Sequence, residues 1–215
     1  MTDLLPVLSD DHSRARRTNP QHELGGFVVD DGRLIISDPC YDHDDAWVTL
    51  TDVTNGEWTA YTERVISHGA RIAALEVRAA GVDRDACEWS VHHEDAGVDS
   101  GQCGIWRSDA QLGQGEWTDG HQASFYHRSC EATRYPPGPD PFDEGQSRGS
   151  VMPEGAVSSS GHGDGSYPIL VARRSGRVVG VRVEFIDPTK TAITEQAARE
   201  IYATAMTRYR ERMRG

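Results

Sequence analysis

At 215 residues the chain has the length of one domain rather than two, and 37% hydrophobic residues with a mean hydropathy of −0.59 allow a modest core beneath long polar loops. A net charge of −12 and a pI near 5.1 argue against a nucleic-acid partner, whose phosphates call for clustered Lys and Arg. No run approaches the roughly eighteen apolar residues of a membrane span, and an N-terminus carrying Asp3, Asp10 and Asp11 lacks the pattern of a leader, so no membrane contact and a cytoplasmic location are expected.

Residues 1–23 are charged and aperiodic and read as a mobile N-terminal arm, leaving 24–215 as one globular domain. Phe27-Val28-Val29 and Leu34-Ile35-Ile36 flank Asp30-Asp31-Gly32 and predict a hairpin whose second strand ends at Ser37-Asp38-Pro39-Cys40-Tyr41, since Pro39 cannot donate to a ladder. Trp47 to Val53 and Glu57 to Ile66 flank Asn55-Gly56, a dipeptide suited to a type I′ turn, and predict a second hairpin. Alternation from Ala70 to Arg78 adds a third strand, and short strands follow at Trp89 to His92 and Cys103 to Trp106, on either side of Val98-Asp99-Ser100-Gly101-Gln102. Between Glu116 and Arg134 the period changes, with Ala123, Tyr126 or His127, and Cys130 on one helical face and Asp119 as N-cap. Four prolines between Pro136 and Pro141 make a stiff connector.

The stretch Ser158 to Tyr167 buries little and places glycines at 161, 163 and 165, so its backbone can approach a ligand and aim amides at an anion. Pro168 to Arg174 and Arg177 to Phe185 then flank Ser175-Gly176 as a further hairpin, and Thr194 caps a C-terminal helix striped with Ala198, Tyr202, Met206, Tyr209 and Met213. The expected fold is mainly β with some α: antiparallel sheets or a sandwich built from hairpins, one mid-chain helix and one terminal helix. Cys40, Cys87, Cys103 and Cys130 stand 47, 16 and 27 residues apart, without the close pairs of a zinc site, so reduced thiols and no cysteine-held metal are expected.

The succession of Asp38-Pro39-Cys40-Tyr41, Val53-Thr54-Asn55-Gly56-Glu57-Trp58, Val98-Asp99-Ser100-Gly101-Gln102 and Ser160-Gly161-His162-Gly163-Asp164-Gly165-Ser166-Tyr167 resembles a family of uncharacterised bacterial proteins with a glycine-aspartate-glycine loop. The resemblance covers residues 25 to 187. It implies a β-rich fold and motif positions at Asp38, Cys40, Asp99, Gln102, Gly163, Asp164 and Gly165, without implying an activity.

Each of the three polar clusters begins or ends a strand, and together they predict one pocket. Asp99 and Asp164 are the candidate acid–base pair, Cys40 is a candidate nucleophile, and Asp38, Gln102, His162, Gly163, Gly165 and Ser166 are candidate substrate groups. The plainer alternatives are that Asp99 and Asp164 cap turns and that Cys40 is a small core residue. Asp38, Asp42, Asp44 or Asp45 with Asp99 and Asp164 could hold a divalent cation, but Asp42-His43-Asp44-Asp45 departs from the spacing of an EF-hand, and no metal or other cofactor is assigned. The expected function is a small hydrolase or lyase acting on a small polar or phosphorylated molecule. The competing expectation is an acidic module that binds and neutralises a basic toxin or nuclease.

Overall fold

The computed structural model describes residues 21–42, 46–66, 70–113, 124–133 and 149–187, with Ala203, Thr207 and Glu211. The strands are β1 (Gln21–Val29), β2 (Leu34–Ser37), β3 (Val48–Leu50), β4 (Gly56–Ile66), β5 (Ala70–Ala79), β6 (Trp89–Val98), β7 (Gln102–Arg107), β8 (Gly149–Met152), β9 (Gly155–Ser159), β10 (Gly165–Arg174) and β11 (Arg177–Glu184), and the helix is α1 (Phe125–Ala132). They form a six-stranded sheet, β1-β4-β5-β11-β10-β6, and a five-stranded sheet, β3-β2-β7-β9-β8, both antiparallel. Trp58, Leu75, Val77, Ile169, Val181 and Val183 of the first sheet meet Leu34, Ile36, Cys103, Ile105 and Ala156 of the second in one buried core. Strand alternation supplies this core, because every second side chain points the same way.

The other face of the five-stranded sheet carries α1. Phe125 stands edge-on to Trp106, with ring centroids 4.9 Å apart, and the pair packs with Ile35, Met152 and Val157. Trp106 occupies the space a side chain at Gly104 would take: a Cβ there would lie 1.9 Å from the indole. The helix α1 is capped by Ser124, whose hydroxyl accepts from the His127 amide at 3.1 Å; the expected start near Glu116 falls outside the described residues. Asp119, the proline-rich connector and most of the expected C-terminal helix lie outside the described residues.

Two of the expected hairpins are absent, and the turns that predicted them do something else. β1 pairs with β4 and β2 with β3 and β7, so Asp30–Gly32 carries the chain from one sheet to the other. β3 and β4 likewise belong to different sheets, and Asn55 donates its side-chain amide to the Asp30 carbonyl at 3.0 Å, tying the two corners together. Turn chemistry reports that the backbone reverses; it does not say which strand it reverses onto. The Ser175-Gly176 hairpin is present, with φ of 51° and 80°, and β4 pairs with β5 as expected. The β8–β9 hairpin was not anticipated, and Ser158 and Ser159, read as loop, end β9.

Outward-facing rungs of the six-stranded sheet hold a buried ionic network. Arg182 donates to both oxygens of Glu63 at 2.9 and 2.8 Å, to Glu76 at 3.0 Å and to Glu184 at 3.1 Å, while Arg78 and Arg84 add further bonds to Glu76 and Glu63. Among the described residues Arg182, Arg78 and Arg84 face Glu63, Glu76 and Glu184, and pairing of this kind is the condition for keeping charges out of water.

Candidate functional site

The end of β2 carries Asp38, which has no exposed surface. Its Oδ1 accepts from the Cys40 amide at 2.8 Å and the Ser100 hydroxyl at 2.7 Å, and its Oδ2 from the amides of Asp99 and Ser100 at 2.9 and 2.7 Å. A carboxylate offers about four lone-pair directions, so these four donors saturate it. Asp38 therefore clamps the β6–β7 turn to the end of β2, and the expectation that it meets a substrate loses its physical basis.

Beside the clamp lie Cys40 and Tyr41, both half-buried. Burial, then the neighbouring Asp38 carboxylate, pushes the Cys40 thiol up to about 12. A group so placed stays protonated near neutrality, which removes the thiolate a cysteine nucleophile requires. Burial and a hydrogen bond to Asp99 likewise raise the Tyr41 phenol. Asp99 itself is exposed, at the start of the turn.

α1 brings two groups to this corner that the sequence pattern placed only on a packing face. Burial and a bond to Cys130 push the Tyr126 phenol up to about 12, against a bond to Ser100, with the Cys40 thiol near enough to add to the rise. Cys130, one helical turn on, accepts from the Gln102 Nε2 at 3.3 Å. Gln102 is 8% exposed, and its Oε1 is buried without a hydrogen-bond partner. Cys40, Ser100, Gln102, Tyr126 and Cys130 thus form a corner of uncharged hydroxyl, thiol and amide groups. The signal for Tyr126 and Cys130 was their separation of four residues; what could not be read was the element they face.

The glycine loop sits against the same turn. The Ser160 amide donates to the Gly101 carbonyl at 3.0 Å, and a Cβ on Gly101 would lie 3.8 Å from Gly163 Cα. Its carbonyls are drawn inward: the Tyr167 hydroxyl lies 3.1 Å from Ser160 O and 2.6 Å from Gly163 O, and the Gly163 amide is spent on Ser160 O at 2.9 Å. Gly161, at φ 59°, has Phe185 and Ile186 atoms 2.9 Å from where a Cβ would stand. Gly165 and Ser166 already belong to β10, paired with Val98 and Gly97, which sets Asp164 next to Asp99 at the same sheet end. His162 and Asp164 are exposed. Cys103 is in the core between the sheets, and burial raises its thiol.

No family model, curated protein or solved structure matches this chain, so its site rests on its own chemistry.

Proposed function

We propose that the chain binds a small molecule at the uncharged corner formed by Cys40, Ser100, Gln102, Tyr126 and Cys130. The observation that carries this reading is the Gln102 carboxamide oxygen, buried and unpartnered among groups that can all hydrogen-bond. An orphaned buried acceptor costs roughly 1–3 kcal/mol, and a ligand N–H or O–H would recover it. The carboxylates of Asp38 and Asp99, within a chain of net charge −12, favour a neutral or cationic ligand over the phosphorylated one expected from the glycine loop. If the chain is a hydrolase or lyase, its proton transfers fall to Asp99 and Asp164 at the rim, and the protonated Cys40 serves as a hydrogen-bonding group rather than a nucleophile.

Thermal-shift and native mass-spectrometric screening against small amines, amides, polyols and their phosphate esters tests this. Neutral or amine members should stabilise the protein and should lose their effect in Gln102→Leu, with far-UV circular dichroism confirming the variant's fold. Equal binding by the variant, or binding of phosphate esters alone, would overturn the reading.

A further inference from the structure

A second site stands on β6, the edge strand of the six-stranded sheet, independent of the corner above. Here the ladder between β10 and β6 breaks: Pro168 pairs with Asp95 and Leu170 with Val91, so Ile169 alone opposes His92, His93 and Glu94. Pro168 stands at the break and has no N–H to donate to a neighbouring strand. Two extra residues preserve the in–out parity on either side of the bulge and free the three between from it.

The bulge gathers donor groups that a regular strand would send to opposite faces. The imidazoles of His92 and His93 lie with centroids 4.2 Å apart, His93 Nε2 is 3.5 Å from the Glu94 carboxylate, and one ligand atom from each of the three residues lies within 4.8 Å of the others. Ligand lengths of about 2.0–2.2 Å in a tetrahedron put neighbouring donors about 3.4 Å apart, so small rotations of half-exposed and exposed side chains close the set. His92 Nδ1 is 3.2 Å from the Glu94 amide and 3.4 Å from the Glu94 carbonyl. The Glu94 amide donates to His92 Nδ1, so ligation through Nε2 requires the proton to move to Nδ1 and that bond to be given up, with the Glu94 carbonyl at 3.4 Å then able to accept from Nδ1.

We propose that His92, His93 and Glu94 bind a divalent transition ion of the Zn²⁺ type, with water completing its coordination. Two imidazoles and one carboxylate suit such an ion and do not suit Mg²⁺, which takes oxygen ligands. Edge protection alone would need only the bulge or a charge, whereas this bulge also collects three ligating groups.

The test is calorimetric titration of the full chain, purified without a polyhistidine tag, with Zn²⁺ and with Mg²⁺. Zn²⁺ should show a site that disappears in the double variant His92→Asn/His93→Asn and weakens by more than about tenfold in Glu94→Gln, while Mg²⁺ gives no heat at that site. All three residues are on the surface of an edge strand, and circular dichroism should show the variants folded. Long-range ¹H–¹⁵N spectra should show the His92 and His93 imidazoles shifting as Zn²⁺ is added. Identical Zn²⁺ isotherms for the wild type and the double variant, or no Zn²⁺ binding by the wild type, would overturn the proposal.

Discussion

Replacing Asp38 by Asn keeps its shape but puts an amide donor among groups that are themselves donors, so at least one of its four bonds becomes a clash of hydrogens. The expected loss is about 3 kcal/mol, read as a lower urea midpoint with an unchanged m-value. Cys40 gives a prediction with a sign. Its ordinary thiol value of 9.0 is raised to about 12 in the folded chain, and Tyr126 moves from 10.0 to about 12. Between those values the unfolded chain has released protons that the folded chain retains, so stability should be full below about pH 9 and fall as pH rises toward 12. Urea titrations at pH 8 and pH 10.5 measure the fall, and Cys40→Ser should blunt it. A stability that is flat across this range would contradict the protonated corner.

Elements were legible where a pattern is local, and their partners were not. The alternation of β5, the Ser175-Gly176 turn and the period of α1 could all be read from neighbouring residues, because side-chain direction depends on local backbone geometry. Asp30–Gly32 and Asn55-Gly56 were recognised as turns but assigned to hairpins, since nothing within a dozen residues says that the next strand joins another sheet. The site divides along the same line: the motif ends of β2, β7 and β10 were visible, whereas Tyr126 and Cys130 enter through a helix whose docking is set by Trp106 and Phe125. That docking begins at one cap. Ser124→Ala should cost about 1 kcal/mol, and it should also change near-ultraviolet signals from Trp106 if the first turn frays.

At the scale of the molecule, the outer face of the larger sheet is set by Arg182. Burial works against its charge, and Glu63, Glu76 and Glu184 more than offset that, raising its hold on the proton. Arg182→Met removes the cation and strands Glu63 and Glu76, each 1% exposed, without their main partner. The expected cost is about 3–5 kcal/mol, measured by chemical denaturation, and it should be largely relieved by replacing the two glutamates with apolar residues as well. A small effect for the single variant would mean that Arg84 or Arg78 takes over the pairing.

The connections β1–β2, β3–β4, β6–β7 and β9–β10 each take the chain from one sheet to the other. The strands of the two sheets are therefore interleaved along the sequence, and a protease that cuts at the β3–β4 or β6–β7 corner would leave two pieces, each holding only part of both layers. Such pieces have no native core of their own and should stay associated after nicking, refolding only as a complementing pair. The same interleaving makes the early residues of β1 wait for β4, and the first half of a nascent chain expose apolar edges until β10 and β11 have been synthesised. Folding during synthesis should accordingly be late and all at once, with protection from limited proteolysis arising only after β11 clears the ribosome.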